Sequence, residues 1–389
     1  MITTPITEAY VRGVAELEPT ARGVRLHRLP AWVREQFPDG QLLAMEAQPA
    51  GARLVLRTTA MMVELVSHPT RVAYRGAYRA RGCFDFYVDG AFVARDVLDG
   101  GDTVMVDLQT GSTAYEPGES HTTVLRDLPE GDKTVELWLP HNEGLELVAL
   151  RTDAPAEPVV ETRPRWVHHG SSISHGSNAV APSETWVAVA ARRADVDLVN
   201  LGLGGSALVD PFLARVVRDT EADVISVKLG INVVNLDAMR LRAFVPAVHG
   251  FLDTIRDGHP DTPMLLVSPI FCGIHEATPG PGSFDPTTLG TAQVTFVATG
   301  NPAEVAQGRL TLEVIRRELA SLVERRSGDA NLHYLDGRAL YGPQDAEELP
   351  LPDALHPGPE AHVLMGERFA ELAFGEGGVF GFAARGGER

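Results

Sequence analysis

Trp166-Val167-His168-His169-Gly170-Ser171-Ser172-Ile173-Ser174 begins as a short strand pattern and runs into a serine set between Gly170 and Gly176. A serine hydroxyl ionises far above neutrality, so it becomes a nucleophile only where a neighbour takes its proton. Two more apolar runs end in the same way. Asp197-Leu198-Val199 leads into Asn200-Leu201-Gly202-Leu203-Gly204-Gly205, and Val224-Ile225-Ser226-Val227-Lys228 leads into Leu229-Gly230-Ile231-Asn232. The three corners are about 30 residues apart, the length of a strand–helix–strand unit. A parallel sheet carries all three to one carboxyl edge, where open α/β sheets build their sites.

Far along the chain stands Asp353-Ala354-Leu355-His356-Pro357. An imidazole titrates near neutrality and suits a general base. An aspartate three residues earlier can fix its tautomer and stabilise the imidazolium. A lone serine among glycines is most often a turn. Together with three further blocks in this order it is not.

In these blocks the chain resembles the SGNH/GDSL hydrolases, serine esterases and acylhydrolases, over roughly residues 164–375. Gly170-Ser171-Ser172-Ile173 matches the family's G-D-S block, and residues 200–205 match N-x-G-x-x-G. Residues 230–233 match G-x-N-D, and residues 353–356 match D-x-x-H. The resemblance implies a flavodoxin-like, three-layer α/β/α domain with a parallel five-stranded sheet. By position, Ser172 would be the nucleophile, His356 the base and Asp353 its orienting carboxylate. The backbone N–H groups of Ser172 and Gly205 and the side-chain amide of Asn232 would form the oxyanion hole. Two positions depart from the pattern, with Ser171 and Val233 where the family has Asp. Serine can still hydrogen-bond at 171. Val233 cannot, so Asn232 must take its orientation from elsewhere, with Asn235 as a candidate.

Ahead of this domain, residues 52–150 read as short alternating segments. Phe84-Asp85-Phe86-Tyr87-Val88 and Ala91-Phe92-Val93-Ala94 flank Asp89-Gly90, a strong two-residue hairpin signal. Residues 134–139 and 145–150 alternate with period two. The pattern predicts an N-terminal β-sandwich, jelly-roll-like, over 1–157, and a hydrolase domain over 158–389. Within the latter, Ser183 is expected to cap a helix to about 194, with further helices at about 239–256 and 303–326 and another from Pro359. Residues 270–302 lack periodicity, which marks a functional cover or a disordered segment. His275 and Glu276 in it are candidates for the cleft mouth.

The composition excludes several classes. Net charge is −18, from 52 acidic and 34 basic residues, which repels a phosphate backbone and argues against nucleic acid. No apolar run reaches the length needed to span a bilayer, and the first residues show no basic-then-apolar leader. A cytoplasmic protein without membrane partners is expected. Cys83 and Cys272 are the only cysteines, which suits buried free thiols better than a disulfide framework. His168, His169 and His175 crowd the serine, but no further ligand has metal-site spacing, so no metal or cofactor is expected. The glycines at 202, 204 and 205 fail the dinucleotide-binding fingerprint.

These features point to a serine esterase that cleaves a carboxylic ester of a small molecule or carbohydrate through an acyl-enzyme. Related two-domain hydrolases include carbohydrate esterases that remove acetyl groups, which makes a short acyl group a natural choice. Two alternatives stand beside it: an acyltransferase of small-molecule biosynthesis with the same triad, and a catalytically dead glycan-binding protein. The sequence leaves oligomeric state open, a homo-oligomer included.

Overall fold

The computed structural model describes residues 1–76, 79–107, 110–291 and 293–381. Residue 292 of the aperiodic segment and the last eight residues of the expected second domain lie outside that description. The chain divides into two compact units. One comprises Met1–Thr162 and short stretches that include Ala181–Ser183; the other holds Arg163–Val180, Glu184–Leu289 and the chain from Gln293 onward.

The first unit is a β-sandwich. An eight-stranded sheet runs through 113–116, 102–106, 63–74, 144–152, 24–27 and 16–19, and a six-stranded sheet through 156–158, 53–58, 133–138, 83–88 and 91–97. Their inner faces meet in one core. Leu54, Leu56, Phe84, Phe86, Val135 and Leu137 come from one sheet, and Val63, Leu65, Leu145 and Leu147 from the other. Burial of each such side chain contributes about 1.5–3 kcal/mol. The expected hairpin forms at Asp89 and Gly90, both at positive φ (47° and 80°), which is what a type I′ turn requires. The period-two pattern expected over 145–150 does not hold throughout. A bulge between Leu147 and Ala149 shifts the register, and Leu145, Leu147 and Leu150 all become buried.

The second unit is built on five parallel strands: β1 (Arg165–Gly170), β2 (Asp197–Gly202), β3 (Val224–Lys228), β4 (Met264–Val267) and β5 (Leu332–Leu335). Their order is β2-β1-β3-β4-β5, the flavodoxin order, with its switch point between β1 and β3. Side chains alternate along β1. Trp166 packs among Trp186, Phe369 and Phe374 on one face, while His169 stacks on Phe251 at 5.9 Å on the other. Helices therefore cover both faces and make three layers, as expected.

Two helix boundaries are corrected. The helix Trp186–Ala194 is capped by Thr185, whose side chain accepts from Ala188 N; Ser183 lies in a 3₁₀ turn and donates to Asp85 Oδ2 at 2.6 Å. The hydroxyl found a buried carboxylate, a stronger partner than a helix N–H. The long helix expected over 303–326 is interrupted. A 3₁₀ segment Pro302–Gln307 ends at Gly308 (φ 91°), and Thr311 caps a separate helix Leu312–Arg325. Among the described residues no helix is long and apolar enough to cross a membrane.

The core of this unit also buries neutral histidines. His362 accepts from Trp186 N at 3.2 Å and donates to the Ser177 carbonyl at 2.9 Å, and burial lowers it to about 4; burial likewise lowers His169 to about 4. The unfolded chain binds these protons below about 6.5, so stability is retained above that pH and falls as pH drops toward 4. Replacing His362 by Gln, which can keep both hydrogen bonds, should flatten the fall by about one proton's slope in denaturant titrations across this window.

Candidate active site

The corner after β1 is shaped by close packing. Ser171 caps the short helix Ser172–His175, its hydroxyl accepting from Ile173 N at 3.3 Å, so the serine that replaces the family's Asp still hydrogen-bonds. A Cβ on Gly202 would lie 2.5 Å from His175 N, and only glycine lets β2 approach this turn. Asn200 clamps the same contact, its amide donating to the Ser174 carbonyl at 2.9 Å and its oxygen accepting from Gly202 N at 2.8 Å. The turn presents Ser172, half-buried, at the carboxyl edge.

The chain after β5 brings the other two members. His356 Nε2 lies 2.9 Å from Ser172 Oγ, and His356 Nδ1 lies 2.7 Å from Asp353 Oδ2. Asp353 Oδ1 accepts from the backbone N–H of Leu355 and His356 at 3.0 and 2.7 Å, folding the segment into a tight turn with Ala354 at φ 65°. Asn178 donates to Asp353 Oδ2 at 3.3 Å. Burial pushes the Asp353 carboxyl up, but the hydrogen bonds and charge of His356 and the two N–H donors outweigh it and hold it below the usual range.

The remaining sequence candidates lie at the neighbouring corners. Gly205 takes a left-handed φ of 71° after β2, and Asn232 sits in the short helix Ile231–Asn235 after β3. Asn232 Oδ1 accepts from Ala207 N at 3.1 Å, and its amide nitrogen has no protein partner among the described residues. Ala207 thus orients Asn232. The expected helper, Asn235, faces His275 Nε2 instead, at 3.1 Å, while Val233 is fully buried.

His275 and Glu276 do not reach a cleft mouth. His275 is fully buried. Glu276 forms a two-pronged pair with Arg316, at 2.7 Å for each oxygen, and also accepts from Cys272 N. Arg316 holds the Pro269 and Ile270 carbonyls as well, so the pair fixes the chain after β4. Of the three histidines near the serine, His168 bridges Ser226 and Ser174, and His169 faces the Leu201 carbonyl. Among the described residues no group of three His, Cys, Asp or Glu side chains converges. Cys83 and Cys272 are buried free thiols.

The described part of 270–302 is tied to the loop that carries His356. The strands Gly282–Phe284 and Phe296–Ala298 pair antiparallel, Phe296 N donates to the Asp353 carbonyl at 2.8 Å, and the Phe296 ring meets the His356 imidazole edge-on at 5.8 Å. Sequence reasoning missed Phe296 and Asn178, because each becomes relevant only through a contact across many residues. It also missed Lys228 at the end of β3. That side chain is 3% exposed and has no protein hydrogen-bond partner among the described residues. Burial, reinforced by Arg316, lowers its ammonium to about 7.

Comparison with known proteins follows from this geometry. Residues 163–273 match the GDSL-like lipase/acylhydrolase family. Among solved structures, a salicylyl-acyltransferase from a tetracycline biosynthetic pathway is 27% identical, with TM-score 0.77, over 94% of this chain and 95% of that one. A protein of Bacteroides ovatus named for its GDSL-like lipase character is 18% identical, with TM-score 0.67, over 95% of each chain. A family two carbohydrate esterase from Clostridium thermocellum is 14% identical, with TM-score 0.54, over 82% of this chain and 91% of that one. No curated protein matches the sequence. The family match falls within the second unit, whose five-stranded parallel sheet follows the N-terminal β-rich unit in the chain. Residues 163–273 form a GDSL-like lipase/acylhydrolase domain.

The unpaired lysine gives a stability test. Below about pH 7 Lys228 is charged in both folded and unfolded chains, and its burial penalty is fully present. Between 7 and about 10.4 only the unfolded chain keeps the proton, so stability rises with pH. Lys228→Met should therefore raise the melting temperature, with a larger gain at pH 6.5 than at pH 9.5 in thermal scans. An equal gain at both values would contradict this account.

Proposed function

We propose that Ser172, His356 and Asp353 act as a catalytic triad in hydrolysis of a small ester, with a short acyl group such as acetyl. Ser172 Oγ attacks the ester carbonyl as His356 Nε2 takes its proton. The oxyanion forms against the Ser172 and Gly205 N–H groups and the Asn232 amide. His356 returns the proton to the leaving alcohol, then activates a water that releases the acid from the acyl-enzyme. The supporting observation is the continuous hydrogen-bond chain from Ser172 through His356 to Asp353, at 2.9 and 2.7 Å. The carbohydrate esterases that share the fold make acetylated sugars a natural panel.

Ser172→Ala should leave almost no activity on p-nitrophenyl acetate; retention of the parent rate would overturn the assignment. Asn232→Ala should keep the fold and lower kcat about 100- to 1000-fold, the usual effect of removing one oxyanion donor. Stoichiometric labelling of Ser172 by a fluorophosphonate would dispose of the dead glycan-binding alternative.

A second reading, acyl transfer to another alcohol or amine, draws on the 27% identity to the salicylyl-acyltransferase along nearly the whole chain. The same acyl-enzyme would then meet an acceptor before water. Product analysis with competing acceptors separates the two, since a hydrolase releases only the free acid.

A further inference from the structure

The aromatic pair beside the base does more than buttress it. Phe284 and Phe296 are register partners across the two short strands, and their rings lie 4.9 Å apart with a 35° tilt. Phe296 meets the His356 imidazole edge-on, and Phe284 extends the same apolar surface outward, 40% exposed. An aromatic ring left open to water forgoes its burial free energy unless something else covers it.

The hairpin that carries the rings is fixed at both ends. A Cβ on Gly280 would lie 1.8 Å from the Val234 carbonyl oxygen and one on Gly282 2.0 Å from Asn235 Oδ1, so this stretch lies flush on the helix that bears Asn232. Arg309 holds the Gly280 carbonyl at 2.8 Å. On the other side Phe296 N is tied to Asp353, and the Gln293 amide donates to the Pro352 carbonyl. The backbone that carries the rings is thus held before any substrate arrives, which lowers the ordering cost of binding.

Chemistry decides which half of an ester meets these rings. In triad catalysis the base gives its proton to the leaving oxygen, so the alcohol fragment must lie on the imidazole side while the carbonyl oxygen turns toward the oxyanion donors. We propose that Phe284 and Phe296 form the alcohol subsite and select esters whose alcohol carries an uncharged aromatic ring. The inference rests on the triad reading above. In acyl transfer the same surface receives the accepting alcohol.

The test compares acetates of one acyl group and different alcohols, 2-naphthyl and cyclohexyl and ethyl, with 2-naphthyl butyrate as the acyl control. Phe284→Ala is the main variant, because Phe284 does not touch His356; Phe296→Leu is the second. The ratio of kcat/KM for naphthyl over ethyl acetate should fall roughly 3- to 10-fold in Phe284→Ala, the scale of one aromatic contact. The ratio of naphthyl acetate to naphthyl butyrate should stay as in the parent. An unchanged naphthyl-to-ethyl ratio in both variants overturns the subsite, and so does a selectivity change that follows the acyl group. A larger loss on the cyclohexyl ester than on the naphthyl ester overturns the aromatic preference. If Ser172→Ala hydrolyses these esters at the parent rate, the triad reading itself has failed; intact triad dependence with unmoved ratios removes the subsite alone.

Discussion

The carboxylate of Asp353 accepts four hydrogen bonds: from Leu355 N, His356 N, His356 Nδ1 and Asn178 Nδ2. Two of them bend the backbone so that His356 returns toward the sheet, and a third fixes the ring. One anion thereby sets both the path of the loop and the tautomer of its imidazole, leaving Nε2 free to face Ser172. The turn is dear in backbone terms, since Ala354 sits at positive φ. The carboxylate offsets this by satisfying the backbone donors of Leu355 and His356. Without this carboxylate neither the loop nor the ring has a reason to stay where it is.

Much of the second unit was legible in the sequence because its signals are local. Each strand ends in a corner with small or polar residues, and parallel order carries those corners to one edge. Ser172, His356 and Asp353 were therefore readable as candidates from two short blocks, and the fold joins the three side chains in one hydrogen-bonded chain. What could not be read depends on distant partners. Ser183 looked like a cap until Asp85 was near it, and Asn235 looked like the support of Asn232 until His275 claimed it. Glu276 looked like a residue of the cleft mouth because its partner Arg316 lies 40 residues later. The aperiodic segment 270–302 showed no pattern because its order comes from anchors to other loops.

The two departures from the family pattern have different physical consequences. Ser171 keeps the capping bond that an aspartate would make, without adding negative charge next to Ser172. Val233 removes a polar group entirely, and the orientation of Asn232 passes to the backbone N–H of Ala207. A main-chain donor is set by the fold and cannot rotate away as a side chain can. The amide nitrogen of Asn232 stays free in either case, which is the property an anion-stabilising group needs.

Cys272 lies under the same loop, its thiol 3.5 Å from the Ala354 carbonyl and pushed up to about 12 by burial. At any ordinary pH it is a neutral, shielded sulfhydryl rather than a thiolate, and thiolates are what alkylating reagents and peroxides attack. Maleimide or peroxide thus finds little purchase at this sulfur beneath the 353–356 turn while the chain is folded.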